Sequence, residues 1–346
     1  MKILDAPDFL DLPDEAGGLF AVGAQTSFFS LPEWYDLLAR HGLEPEWRPR
    51  LYYSGGAALI GCVPASGRPR EIRGCCNSYT TEHSILARQN AESEVRQLVA
   101  ALAREKPSTD ALLLPGLDPA AGDFAGALLG LKDAGFVAKP FFCWGTWYDP
   151  TTGRDFDSYF AARPSVLKNT WRRKLAALNK SARVKFRDSG DVERFIAVYD
   201  DVYRRSWKVP EPFPQFISAL VRMAARKGAL RFGVLEADGT AIAAQFWTVW
   251  RGRAIIHKLA NDERSIEFSP GTLLTMHMIR HVLERDRPDE INFGRGDDDY
   301  KQLWTSARRE RWGIEAANLR TASGFPRAAR LIAVKARDYL RGRRSR

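Results

Sequence analysis

From Leu230 onward apolar and polar residues alternate with a period of two. The run LRFGVLEADGTAIAAQFWTVWRGRAIIHKLAND predicts three strands turned at Asp238-Gly239 and Arg251-Gly252, dipeptides suited to tight hairpins. Upstream the period lengthens to that of a helix. Leu167, Trp171, Leu175 and Leu178 recur along SVLKNTWRRKLAALNKSARVKFRD, and Phe195, Tyr199, Val202 and Tyr203 follow a capping Asp191. The loop KVPEPFP ends that helix, residues 214–227 predict another closed by Gly228, and VKF starts a strand between the first two. A helix from Ser269 to about Arg285 and the short strand EINFG complete an α+β order.

The first half follows a looser version of this plan. FFSLPEWYDLLARHG predicts a helix capped by Ser30, with Pro32 in its first turn and Glu33 in capping-box range. RPRLYYSGGAALIGCVPA predicts a hairpin turning at Ser54-Gly55-Gly56. Residues 85–105 predict a helix, ALLLPG a buried strand, AGDFAGALLGLKDAGF a helix ended by Gly135, and FVAKPFFCWGTWYDP an aromatic-rich strand. Composition changes at DPTTGRD, residues 149–155, which divides the chain into residues 1–150, 151–320 and a tail of 321–346.

Composition narrows the classes. A chain of 346 residues with 45% hydrophobic content and ten tryptophans supports a packed core, and two domains of about 150 residues suit its length. No apolar run approaches the roughly 18 residues of a membrane span, and the acidic start MKILDAPDFLDLPDEA lacks an apolar secretion core. Cys62, Cys75, Cys76 and Cys143 show no CxxC spacing, so reduced cysteines and a cytoplasmic setting are expected. The net charge of +10 sits mostly in PRAARLIAVKARDYLRGRRSR, which has eight Lys/Arg against one acid, Asp338. The remainder is near neutral, so nucleic-acid binding is not expected. Leu331, Ile332, Val334, Tyr339 and Leu340 interleave with those cations, as in a basic amphipathic helix on an anionic membrane or partner, or in a solvated tail. The first reading would place the protein at the inner membrane face.

Four segments in order carry a family resemblance: RPSVLKNTWRRKLAAL at 163–178, the ADGTAIAAQFW meander, FSPGTLL at 268–274, and INFGRGDDDYKQLW. Together they resemble the FemAB-like branch of the GNAT acyltransferase superfamily, also described as BioF2-like or CelD-like. The resemblance covers about residues 155–312, and FFSLPEWYDLL resembles the opening helix of the branch. It implies an α+β fold of two tandem GNAT-like domains, the first often degenerate, each a mixed, mostly antiparallel sheet flanked by helices. It also implies transfer of an acyl group to an amine from acyl-CoA, as a co-substrate rather than a bound cofactor, or from an aminoacyl-tRNA. The acceptors considered are an exopolysaccharide amino sugar and a lipid amine such as a sphingoid base. The alternatives are an aminoacyl-tRNA-dependent peptidoglycan-precursor aminoacyltransferase and a non-catalytic scaffold serving as a membrane or partner adaptor.

The resemblance also suggests site residues. The [QR]xxGx[GA] pyrophosphate loop of classical GNAT enzymes is reduced here to Gly271, so Ser269, Gly271, Thr272 and Leu273 are the candidates for donor phosphate at a helix start. Tyr300-Lys301 matches the aromatic-Lys pair of the branch, giving Lys301 as electrostatic stabiliser and Tyr300 as acid, against a surface lysine beside a core tyrosine. His257 is a candidate base or a structural strand histidine. Arg172, Arg173 and Asp299 are candidates for acceptor contact, or simply solvated residues. Tyr203 and Trp207, with the aromatics of residues 141–148, could line an apolar cleft or fill the core. No metal is expected: His277 and His281 lack the glutamate of HExxH, and Asp297 to Asp299 lack EF-hand alternation.

Overall fold

The computed structural model describes all residues except 68–69, 106–107 and 345–346, and the side chains of Tyr339 and of residues 341–344 also lie outside the description. The chain forms two compact units, residues 1–145 with 310–346, and residues 146–309.

Unit 1 runs through β1 (Lys2–Asp5), α1 (Asp14–Gly23), α2 (Pro32–His41), β2 (Trp47–Tyr53), β3 (Ala57–Pro64), β4 (Glu71–Gly74), β5 (Leu86–Ala87), α3 (Ala91–Ala103), β6 (Ala111–Leu117), α4 (Gly122–Asp133) and the first part of β7 (Phe136–Pro150). The sheet is ordered β1-β2-β3-β4-β6. Its neighbours are antiparallel except β4–β6, where Glu71, Ile72 and Arg73 pair in parallel with Ala111, Leu112 and Leu113. α3 and α4 cover one face around Leu98, Leu102, Leu114 and Leu131. The glycines of AGDFAGALLGL explain how closely these helices pack. A Cβ at Gly126 would lie 2.5 Å from the Glu92 carbonyl oxygen, and one at Gly130 would lie 2.6 Å from that of Arg96.

The helix at α2 begins one residue later than the pattern predicts. Leu31, not Ser30, precedes Pro32, and it is Ser27 that caps the 3₁₀ turn before it by accepting the Phe29 N–H at 3.1 Å.

Unit 2 continues with α5 (Phe156–Ala161), α6 (Ser165–Ser181), β8 (Val184–Arg187), α7 (Val192–Arg204), α8 (Pro214–Arg226), β9 (Leu230–Ala237), β10 (Thr240–Trp250), β11 (Arg253–Asn261), α9 (Pro270–Arg285) and β12 (Glu290–Arg295). The order is β12-β11-β10-β9-β8, with Thr146 to Pro150 of β7 antiparallel on β12. Asp238 and Arg251 take positive φ, 49° and 48°, and each is followed by a glycine at φ 79° or 74°. Two consecutive left-handed residues match the twist of a hairpin, which is why both turns were readable from Asp-Gly and Arg-Gly. Asp191 caps α7 by accepting the Arg194 N–H at 2.8 Å. The core gathers Trp247, Leu274, Met278, Ile279, Ile291 and Trp304.

The last two elements are β13 (Ala307–Asn318) and α10 (Gly324–Arg344). Residues 310–346 belong to unit 1, whereas the sequence reading ended the second domain at residue 320 and left a separate tail. The reason is pairing at a distance: Trp312 to Ala317 lie antiparallel on Leu117 to Ala111 of β6. α10 then buries Ala328 and Leu331 against Ala317 and Val137. No helix among the described residues is long and apolar enough to cross a membrane.

The glycine contacts give a stability prediction. Gly130→Val forces a branched side chain onto the α3 backbone and should cost about 1–3 kcal/mol by thermal or urea unfolding. An unchanged midpoint would show that α3 and α4 are not in close contact.

Candidate functional site

In unit 2 the parallel ladder between β11 and β12 is short. Arg253, Ala254 and Ile255 pair with Glu290, Ile291 and Asn292, and the ladder then stops. β11 continues to Asn261 on its other neighbour β10, where Asp262 N–H reaches the Ile242 oxygen at 2.8 Å. Antiparallel strands alternate the direction of their backbone groups, so Leu259 and Asn261 turn theirs away from β10, toward the gap. A cavity of about 380 Å³ begins where the ladder ends. Its walls are Ile256, Leu259 and Asn261 of β11, Phe293 of β12, the start of α9 from Ser269 to Thr272 with Thr275, and Ile266, Tyr300 and Trp304.

The start of α9 is left uncapped. Ser269 adopts a left-handed conformation, φ 52° and ψ 53°, and its side chain makes no capping bond. Pro270 has no N–H to satisfy, and the first helical bond is closed by Leu273 N–H to the Ser269 oxygen at 3.2 Å. The Gly271 and Thr272 N–H groups therefore point out of the first turn at the positive end of the helix dipole. Beside them the Asn261 Nδ2 is buried with no hydrogen-bond partner. A Cβ at Gly271 would lie 3.2 Å from Leu259 Cδ2 and 3.4 Å from Asn261 Oδ1, so a side chain there would crowd this wall of the cavity. Three donors without acceptors around one cavity form a cradle for an anion or a carbonyl.

The floor is held by buried charge. Asp149 accepts from Arg163 Nη2 at 3.2 Å, both side chains being almost fully buried. Arg163 Nη1 and the Tyr159 hydroxyl, the latter at 2.7 Å, both donate to the Trp304 carbonyl. Trp304 in turn stacks on Phe293 with ring centroids 5.9 Å apart.

The expected site residues separate into those at this cavity and those elsewhere. Ser269, Gly271, Thr272 and Tyr300 line it. Leu273 does not: its side chain is core and its N–H is already bonded. Lys301 is buried and its ammonium is committed, donating to the carbonyls of Arg295 at 2.8 Å and Gly296 at 3.2 Å and pairing with Asp298 at 3.0 Å. It closes the Gly294–Asp299 turn and so places the neighbouring Tyr300, half-exposed, at the cavity wall. Crowding, with the negative Asp298 nearby, pushes the Tyr300 phenol up to about 12, so it stays protonated.

His257 is the extra residue where the β10–β11 register slips between Phe246 and Trp247. Its ring packs on Phe246 with 6° between planes, and its Nε2 meets the Thr248 hydroxyl at 2.8 Å. Burial, and then the Lys258 charge, push it down to about 3, a poor proton acceptor at neutral pH.

Asp299 is exposed, and it is Asp297 and Asp298 that find cations, Arg308 at 2.7 Å and Lys301. Arg172 and Arg173 are exposed on α6, with Arg172 lying 5.3 Å over the Phe160 ring; Lys174, which follows them, donates to the Glu267 carbonyl just before α9. The Tyr203 hydroxyl donates to Val209 at 2.7 Å, and Trp207 is 68% exposed. His277 and His281 share one Asp188 oxygen at 3.0 and 3.1 Å.

Sequence reasoning missed Asn261, which stands in LAND, a run that reads as a strand end and carries no local motif.

The corresponding place in unit 1 is occupied by its own side chains. Past the β4–β6 ladder, His83 N–H donates to the Gly116 carbonyl at 3.0 Å and Trp144 Nε1 donates to that of Thr81 at 3.1 Å. A Cβ at Gly116 would meet the Trp144 ring at 2.7 Å. Arg311 bridges Glu82 at 2.9 Å and Asp118 at 3.0 Å. A separate cavity in unit 1, about 250 Å³, is lined by Arg48, Arg50 and Glu71. The last two are already matched, Arg50 with Asp5 and Glu71 with Arg73 and Arg327.

Residues 165–302 match the acetyltransferase (GNAT) domain family. Among solved structures the chain is similar to FemX, with 10% identity, 91% of this chain and 97% of that one covered, and a TM-score of 0.61. It is also similar to L-PGS from Bacillus licheniformis (12% identity, 91% and 97% covered, TM-score 0.52). A third similar structure is a tandem GNAT protein from the clavulanic acid biosynthesis pathway (14% identity, 91% and 98% covered, TM-score 0.50). No curated protein matches in sequence. The family match lies within unit 2, which is therefore similar to a GNAT domain. The chain as a whole shares the fold of FemX and of the tandem GNAT protein, mixed α/β with mostly antiparallel strands.

Two measurements check the site. Arg163→Met removes the buried partner of Asp149 and leaves it only the part-exposed Arg154 at 3.1 Å, which should cost about 3 kcal/mol, the low end for a broken buried pair, with part recovered by adding Asp149→Asn; a cost under about 1 kcal/mol would contradict a buried pair. His257 is neutral in the fold and ionises on unfolding at about 6.5, so its contribution is complete above that pH and is lost as pH falls toward 3. His257→Gln should therefore lose stability less steeply than the parent between pH 6.5 and 3, and identical slopes would contradict the neutral assignment.

Proposed function

We propose that the chain is an N-acyltransferase that moves an acyl group from acyl-CoA to an amine. The observation that carries this reading is the uncapped start of α9 facing the end of the β11–β12 ladder, with the unpartnered Asn261 amide beside it. Gly271 and Thr272 N–H groups and Asn261 hold donor phosphate or amide oxygen, with acyl-CoA a co-substrate and no group permanently bound. The thioester lies along the open edge of β11, where the Leu259 and Asn261 N–H groups stabilise the oxyanion. Tyr300, held protonated, donates toward the departing sulfur, while Lys301 acts as a positioning residue by fixing its turn. The amine attacks directly and no acyl-enzyme forms.

A lipid amine is the favoured acceptor class over an amino sugar. Trp207 and Val209, 68% and 80% exposed, form an apolar surface on the loop after α7. On α10 the outward-facing Phe325, Ile332 and Leu340 are also exposed, with Arg330 and Arg337 among them, which suits peripheral contact with an anionic membrane.

Thermal shift with acetyl-CoA, palmitoyl-CoA and a charged tRNA tests the donor. Stabilisation by a CoA thioester is expected, and Asn261→Leu should weaken it about 10- to 100-fold by removing one buried donor. Stabilisation by tRNA alone would overturn the reading in favour of aminoacyl transfer, and stabilisation by none would favour the scaffold.

A further inference from the structure

The loop between α7 and α8 sends a lysine to the open edge of β11. Its sequence, SWKVPEPFP, is stiffened by Pro210, Pro212 and Pro214, and the Ser206 hydroxyl ties its start back to the Tyr203 carbonyl at 2.7 Å. From it Lys208 extends to donate to the Leu259 carbonyl. Leu259, like Asn261, is a β11 residue whose backbone faces the gap opened by the end of the β11–β12 ladder, and its side chain lines the cavity. A lysine amine thus occupies the edge position that the next strand would otherwise fill.

The groups around it are defined. Lys258 of β11 pairs with Glu211 of the loop at 2.7 Å. Tyr203 of α7 donates its hydroxyl to Val209, and Asp298 faces from the turn after β12. Burial first, and then the Lys258 charge, push Lys208 down to about 8, with Glu211 and Asp298 acting in the opposite sense. Lys301, a buried lysine near the cavity, has its three hydrogens spent on two carbonyls and a carboxylate. Lys208 donates to one acceptor among the described residues, leaving its nitrogen able to exchange a proton with a molecule in the gap.

We propose that Lys208 is the proton acceptor of the transfer, receiving a proton from the acceptor ammonium at the open edge of β11. This rests on the acyltransfer reading above. The ammonium gives one proton to the Lys208 amine, and the freed amine forms the C–N bond as the C–S bond breaks. The second amine proton ends on the thiol with help from Tyr300, and Lys208 returns its proton to solvent. The net products are an N-acyl amine and a free thiol, with no oxidant, reductant or further reactant.

Two experiments on the full chain test this. Trace labelling with acetic anhydride across pH, read by peptide mass spectrometry, gives each lysine its own titration midpoint. Lys208 should titrate near pH 8, below the ordinary lysine value of about 10.4. A Lys208 midpoint near 10 overturns the proposal. The second experiment follows thiol release from acetyl-CoA and palmitoyl-CoA with octylamine as acceptor. Lys208→Arg keeps charge and reach but cannot take a proton, and should lower kcat about 100-fold or more and remove the rise in rate around pH 8, with donor thermal shift unchanged. Lys208→Met, compared at equal folded fraction, should match it. A Lys208→Arg variant with the parent rate and pH profile would reduce Lys208 to a loop prop and overturn the base role alone. A parent chain that releases thiol from neither donor overturns the acyl-CoA reading, and the base role falls with it.

Discussion

Everything in the candidate site depends on a parallel β-ladder that ends after three residue pairs. Had β12 stayed on β11 as far as Asn261, the backbone groups of Leu259 and Asn261 would be consumed in the sheet, and α9 would start against a closed wall. Because the ladder stops, one strand edge, one helix start and one turn border the same small volume. The helix start contributes its unspent N–H groups only because Ser269 leaves them uncapped, and Pro270 ensures that the first turn has one fewer donor to satisfy. The turn contributes Tyr300 because Lys301 is buried beneath it, tying Arg295, Gly296 and Asp298 together. A charge taken out of water is tolerable only when its donors are all matched, and this one is.

The same local plan has a different outcome in unit 1. There too a parallel pair, β4 with β6, ends after three residues, but the space beyond is filled by His83, Trp144 and the Glu82–Arg311–Asp118 chain. His83 is pushed down to about 4 by burial, so it sits there as a neutral packing group. Glycines at 74 and 116 make room for these side chains, since a Cβ at either would lie 2.7 Å from His83 or Trp144. One opening is thus available to a ligand and the other is taken up by the protein itself.

Much of this was legible in the residues wherever the determinant is local. The hairpin turns at Asp238-Gly239 and Arg251-Gly252, the Asp191 cap and the limits of β7 each follow from a few adjacent positions. What was not legible depends on partners far away. β13 reads as ARRERWGIEAAN, with charges through its first half, and nothing in it announces that it pairs with residues 111–117. The contiguous division at residue 320 failed for that reason. The same holds for roles. Tyr300-Lys301 was noticed as a pair, but which member faces the cavity is decided by the turn geometry. His257 read equally as a base or a structural histidine, and only its packing on Phe246 favours the second, while Asn261 and Lys208 gain meaning only from the gap between two strands.

The central claim is that the donor sits in that gap with its polar part on the first turn of α9. Hydrogen–deuterium exchange of the full chain with and without acetyl-CoA or palmitoyl-CoA, resolved to single amides, tests it directly. The account predicts slowed exchange at Gly271, Thr272 and the Leu259–Asn261 edge of β11, with the amides of Cys75 to Ile85 in unit 1 unaffected. Slowing confined to unit 1, or none at Gly271 and Thr272 under saturating donor, would contradict it.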